Sequence, residues 1–168
     1  MLLQNDLEAL IQFRKGAHGL GKRIVMAGGT FDLLHPGHLS YLAYARTLGE
    51  VLLVALNGDE AVRQLKGPGR PIFNQMARAE MVQAIRFVDA VYIHPEVTMV
   101  AVLLALRPDI YVKGQDYAEK TIPWASDVKA YGGEVHIMPN DPECSRYSSS
   151  IIIERIVQNF TSKNKQRS

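Results

Sequence analysis

An apolar run, Ile24-Val25-Met26-Ala27, leads directly into Gly28-Gly29-Thr30-Phe31-Asp32-Leu33-Leu34 and then into His35-Pro36-Gly37-His38. An apolar run that stops at paired glycines reads as a buried strand, ending where the backbone must approach another group with no side chain in the way. Pro36-Gly37 then opens an amphipathic helix, whose first N–H groups lack intrahelical partners and whose dipole favours an anion. His35 and His38 are three residues apart, so with a helix starting near Pro36 both sit at its beginning and face the same way. Each offers N–H donors that can follow charge as it builds on a phosphoryl group. Strand, glycine turn and imidazole-bearing helix start together form a candidate phosphate site.

The rest of the chain keeps alternating. Strands are predicted over residues 23–27, 51–57, 90–93, 110–113 and 134–138, and helices over 37–48, 59–65, 75–86, 98–106, 125–131 and 148–159. Such alternation predicts an α/β, Rossmann-like fold, with five parallel strands and helices on both faces. Right-handed crossovers and a single reversal after the third strand give the strand order 3-2-1-4-5. The reversal opens a crevice between the first and fourth strands at their carboxyl ends. His35 and His38 follow the first, and Lys113-Gly114-Gln115-Asp116 follows the fourth, so two distant segments are expected to meet there.

Ahead of this domain, placed at 21–160, Leu3, Leu7, Leu10 and Ile11 recur at helical spacing with Asp6 and Glu8 between them. Residues 1–20 are therefore expected to be a helical extension rather than a signal peptide, and 161–168 a solvated basic tail. With 168 residues, 47% of them hydrophobic, the chain suffices for one full core. The net charge is only +2, with no basic stripe interleaved with aromatics, so nucleic acid is not an expected partner. The single Cys144 excludes an intramolecular disulfide and a zinc-thiolate cluster. No apolar stretch approaches the roughly 20 residues of a membrane span. A soluble, cytoplasmic protein is expected.

Gly-x-Phe-Asp followed by His-Pro-Gly-His resembles the signature of the cytidylyltransferase-like nucleotidyltransferases. Leu65-Lys66-Gly67-Pro68-Gly69-Arg70-Pro71, Arg78-Ala79-Glu80, Val112-Lys113-Gly114-Gln115-Asp116-Tyr117, Tyr131-Gly132-Gly133-Glu134-Val135 and Tyr147-Ser148-Ser149-Ser150 are similar, in the same order, to segments of the adenylyltransferases of ADP-heptose synthesis. The similarity runs from Gly21 to Ile156. It implies transfer of a nucleoside monophosphate to a phosphorylated acceptor: AMP from ATP to a sugar 1-phosphate, most simply heptose 1-phosphate, with magnesium carried on the triphosphate and no protein-held metal. Alternatives are a cytidylyltransferase of a polyol phosphate such as glycerol 3-phosphate, an FMN adenylyltransferase, or a nucleotide-binding regulator without turnover. The last would not need His35, His38 and Lys66 together.

The resemblance also implies roles. His35, His38 and Lys66 are the catalytic set. Gly29, Thr30, Phe31, Gly37, His38, Lys113, Gly114, Asp116 and Ser148-Ser149-Ser150 bind the nucleotide, the serines at a capped helix start that receives the triphosphate tail. Asp32, Lys66, Arg78 and Trp124 are expected on the acceptor side. Asp32 either orients a neighbouring basic group or holds the loop, and its position alone does not decide. Lys66 and Arg70 put two cations in a Gly/Pro-rich loop suited to closing over phosphates. Arg146 is placed to add charge near the serines. Gln115, Trp124 and Met76-Ala77 depart from the residues usual at those positions, and the first two bear on pocket shape. His18, His94 and His136 are read as structural. The apolar surplus of Tyr92-Ile93 to Val97 and of Met99-Val100-Ala101-Val102-Leu103-Leu104, with the dimers common among similar enzymes, predicts a homodimer.

Overall fold

A computed structural model describes residues 2–4, 6–118, 122 and 124–165. In chain order the elements are β1 (Leu2–Gln4), α1 (Leu7–Gly19), β2 (Ile24–Gly29), α2 (Pro36–Arg46), β3 (Val51–Asn57), α3 (Asp59–Lys66), α4 (Gln75–Gln83), β4 (Ala90–His94), α5 (Val100–Leu106), β5 (Ile110–Lys113), a 3₁₀ turn (Gln115–Tyr117), α6 (Ala125–Ala130), β6 (Glu134–Ile137), α7 (Pro142–Ser145) and α8 (Ser149–Lys165). All strand pairs are parallel, in the order β1-β4-β3-β2-β5-β6. The last five are the five predicted strands in the predicted order, within a Rossmann-like three-layer fold.

Period-two alternation divides the central strands between two cores. Val25, Ala27, Leu52, Val54 and Leu56 face α2 and α4, where Leu42, Ala45, Ala79 and Val82 are buried. Ile24, Met26, Leu53, Ala55 and Tyr111 face the other way, onto Leu10 and Ala17 of α1 and Val102, Leu103 and Leu106 of α5. β2 and β3 are buried through their apolar lengths because helices cover both faces.

The amino-terminal expectation needs correction. Residues 2–4 form a sixth strand in register with Val91–Ile93 rather than the first turn of a helix. The helix starts at Leu7 because the Asp6 carboxylate accepts from the Ala9 N–H at 2.9 Å, a cap that separates the two elements, while the edge of β4 offers unpaired backbone to the residues before it. α1 is not an appendage either, since Leu10 and Ala17 belong to the core. Its presence also changes the reading of the apolar surplus: Tyr92, Ile93, Met99, Val102 and Leu103 are buried within this chain, and the exposed residues of the two stretches put forward for a dimer are Pro95, Glu96, Val97, Ala101 and Leu104. The end of the basic tail, 166–168, and the side chain of Cys144 lie outside the described residues. No helix among the described residues is long and apolar enough to cross a membrane.

Candidate active site

β2 is the switch point. The chain runs from β2 to β3 and β4 on one side, then returns to β5 and β6 on the other, so the carboxyl ends of β2 and β5 diverge as neighbours. Tyr41 of α2 bolts them together beneath the crevice: its hydroxyl donates to the Val112 carbonyl at 2.7 Å and accepts from the Gly28 N–H at 3.3 Å. Above it lies a cavity of about 550 Å³.

The β2–α2 loop forms one wall with Gly29, Thr30, Phe31, His35, Gly37 and His38. Phe31 and Leu33 hold positive φ (48° and 53°), strain that a non-glycine residue adopts only where its surroundings impose it. The bend seats the Phe31 ring against His38, 5.3 Å between centroids, and against Tyr41 at 6.3 Å. His35 precedes the first helical residue, Pro36, and the His35 and His38 rings stack at 3.7 Å and 25°. Nδ1 of each ring is buried without a hydrogen-bond partner in the protein. Burial pushes both imidazoles below their ordinary pKa, His38 to about 3 with His35 adding to the shift and Asp32 opposing it, so the two rings are neutral near pH 7.

The serines close this side. Ser148 caps α8, its Oγ accepting from the Ile151 N–H at 3.1 Å, and Ser149 Oγ donates to the Asp32 carbonyl. Ser148, Ser149 and Ser150 all line the cavity. Lys66 is the last residue of α3, exposed at the rim, with no ion pair among the described residues.

Asp32 and Arg78, placed on the acceptor side, do not line the cavity, and that placement is corrected; for Asp32 the other reading holds, since it both orients a neighbouring basic group and holds the loop. Asp32 is fully buried; its carboxylate accepts from Arg70 Nε (2.8 Å), the Ile72 N–H (2.9 Å) and the Phe73 N–H (3.1 Å), and these bonds hold it below the usual carboxylate range against the opposing effect of burial. It anchors the loop after Pro71. Arg78 is also fully buried, donating to the Thr30 and Phe73 carbonyls and to Asp59 Oδ1 (2.8 Å), so it braces the β2–α2 loop from behind. Both are spent on protein groups, which the spacing of a motif cannot reveal.

The opposite wall belongs to β5. Lys113 places its Nζ 3.9 Å from the Tyr117 ring centroid, 5.6 Å from Trp124 and 5.8 Å from Tyr111. Gly114 and Asp116 follow, with Asp116 Oδ1 folded back to within 2.7 Å of where a Cβ on Gly114 would stand. Trp124 also lines the cavity, with Nε1 near the Tyr111 hydroxyl but outside hydrogen-bonding geometry. Gln115 also lines the cavity, but its amide is spent on protein groups: Oε1 accepts from the Asp141 N–H (2.6 Å) and Nε2 donates to Ser145 Oγ (2.8 Å), tying the end of β5 to α7. Asn57 and Tyr41 also line the cavity and were not assigned to it, and Arg70, read as one of two loop cations, lines it as well. For Tyr41 a signal existed, since it stands three residues after His38 on the same helix face.

The cytidylyltransferase-like family model matches residues 26–155, which spans both walls. The chain belongs to the cytidylyltransferase-like family. Among its relatives are proteins named bifunctional protein HldE, from Methylobacillus flagellatus (40% identical over 88% of this chain), Gluconobacter oxydans (48% over 70%) and Vibrio cholerae (41% over 89%). The chain spans only 30%, 25% and 31% of their respective lengths. A lipopolysaccharide core biosynthesis protein of Thermoplasma volcanium has the same fold at a TM-score of 0.63 and 28% identity, over 72% of this chain and 99% of that one. A pantoate-beta-alanine ligase of Francisella tularensis shares the fold alone, at a TM-score of 0.60 and 15% identity over 90% of this chain and 76% of that one.

Proposed function

We propose that this family member transfers AMP from ATP to the phosphate of heptose 1-phosphate, forming ADP-heptose and releasing pyrophosphate. The observation that carries the reading is the stacked pair His35 and His38, with unpartnered Nδ1 atoms at the switch-point cavity; the similarity to the HldE relatives over most of the chain supports the choice of nucleotide and acceptor.

The acceptor phosphate is already an anion and needs no protein nucleophile, so an oxygen of it attacks the α-phosphorus directly and pyrophosphate leaves in line. Charge on the equatorial oxygens is met by the imidazole N–H groups. Two neutral rings bind an anion without first breaking an ion pair, and a phosphoryl group supplies the counter-charge that burial withholds from them. Lys66 draws the phosphates together from the rim, and the first turn of α8 receives the departing pyrophosphate. Trp124 walls the acceptor side. Asp116 is the one carboxylate among the described residues lining the cavity, and those residues hold no cluster of three metal-ligating side chains. This donor set fits a magnesium ion brought in with the triphosphate, which Asp116 would be the residue to hold. Bound there, the ion would offset phosphate charge.

A pyrophosphate-release screen of ATP, CTP, GTP and UTP against heptose 1-phosphate, glycerol 3-phosphate and FMN tests the reading. The ATP and heptose 1-phosphate pair is expected to give the highest kcat/KM. Preference for CTP with glycerol 3-phosphate, or for FMN as acceptor, would replace the substrates, and silence with every pair would favour a regulator.

A further inference from the structure

The two cations of the loop after α3 are prepared in opposite ways. Lys66 is exposed and has no ion pair among the described residues, whereas the Arg70 side chain is only 13% exposed and its Nε is held by the fully buried Asp32 at 2.8 Å. Between them Gly67 and Gly69 take positive φ (87° and 81°), a turn that places the two cations at different depths, Lys66 at the rim and Arg70 against Asp32. A guanidinium presents five N–H donors in a rigid fork, and a purely structural pair with a carboxylate commonly spends two of them side by side. Here one is spent. The Nη nitrogens have no acceptor among the described residues and are not sealed off, and Arg70 lines the cavity.

Asp32 joins this arginine to the other end of the site. Its carboxylate holds Arg70 Nε and its backbone carbonyl accepts from Ser149 Oγ, so the arginine and the first turn of α8 are fastened to the same residue. Within the reaction proposed above, on which this step rests, we infer that Arg70 is a further catalytic residue: its open Nη edge grips the β- and γ-phosphoryl oxygens beside the start of α8 and stabilises them as pyrophosphate departs. Lys66 is a compact charge on a flexible stem that follows the phosphates, while Arg70 is a fixed fork they must meet. Asp32 is the positioning residue that sets the fork, and the backbone N–H groups of Ile72 and Phe73 keep the carboxylate in place if the arginine is removed.

The test compares Arg70→Ala, Arg70→Lys and the wild-type protein by calorimetric binding of inorganic pyrophosphate, by turnover, and by thermal melting. Arg70→Ala is expected to weaken pyrophosphate binding by about tenfold or more and to lower kcat by a similar factor, with the KM of the acceptor within about threefold. Millimolar guanidinium ion should restore part of the lost turnover, which a merely structural clamp would not allow. Arg70→Lys, which keeps charge and bulk, should recover less than half of the lost affinity and serves if Arg70→Ala does not fold. Unchanged pyrophosphate affinity in a folded variant, or a loss that guanidinium does not relieve and that tracks the melting temperature, would overturn the inference. Pyrophosphate binding reads Arg70 whatever the wild-type protein turns over. A wild type inert toward ATP and heptose 1-phosphate would therefore sink the proposed reaction and not this contact.

Discussion

The two walls of the cavity are built by different means. On the β2 side, local sequence does most of the work: a strained loop, a helix start and two histidines three residues apart, braced by the buried Asp32 and Arg78. On the β5 side, long-range contacts between side chains set the shape, with Lys113 packed against Tyr117 and Trp124, and Gln115 reaching 30 residues ahead to Ser145. A wall made of backbone and fixed donors is suited to the one group common to every nucleotide, its phosphates. A wall made of side-chain contacts can be altered residue by residue, which suits recognition of whatever differs between substrates.

The sharpest way to break this contrast is to remove its brace. Arg78→Ala leaves the Thr30 and Phe73 carbonyls and Asp59 without their donor, and it should cost about 3–5 kcal/mol of stability by chemical denaturation. A cost near zero would mean that the β2 wall holds its bend without Arg78. His38→Ala should lower kcat by about a hundredfold or more while ATP binds within several-fold, because the lost donor acts on transition-state charge. Equal losses in binding and turnover would make His38 a simple ligand.

Acid should act on the same wall. His38 is held at about 3, and His94, desolvated at the end of β4, at about 4, both below the ordinary imidazole value of about 6.5 in the unfolded chain. The unfolded state therefore takes up protons first. Stability is fully present above pH 6.5 and declines as pH falls toward 4 and then 3. Thermal melts across this range should show the decline, and His38→Ala should flatten it. A melting temperature independent of pH down to 4.5 would contradict the neutral pair.

The smallest effects belong to the β5 wall. Trp124→Gly should change the ranking of heptose 1-phosphate against glycerol 3-phosphate by several-fold in kcat/KM, with ATP affinity nearly unchanged. Gln115→Gly releases α7 and should raise the KM for ATP by a few-fold with kcat retained. If Trp124→Gly left the ranking untouched, the acceptor would be read elsewhere.

Much of this was legible in the sequence, and what was not has a physical reason. Five strands, their order and the meeting of His38 with Lys113-Gly114 follow from apolar periodicity, right-handed crossovers and one reversal. Asp32 and Arg78 stand within motifs and were placed on the acceptor side, although Asp32 was also read as orienting a basic group or holding the loop; a motif does not report which way a side chain points. β1 escaped because three residues carry no period and the Asp6 cap overrides helical spacing that begins at Leu3. Much of the apolar surplus put forward for a dimer is packed within the chain, because α1, read as an extension, belongs to the same core. Gln115 stands at a visible departure, but its partners at Asp141 and Ser145 exist only in three dimensions.

The account rests on one in-line displacement at the α-phosphorus between two walls, with no covalent nucleotidyl-enzyme. Turnover of a single diastereomer of ATP sulfur-substituted at the α-phosphorus, followed by assignment of configuration in the nucleotide-sugar product, tests it directly. Inversion at phosphorus is the predicted result. Retention would require two displacements and a nucleophile on the protein, and it would contradict the role assigned to His35 and His38.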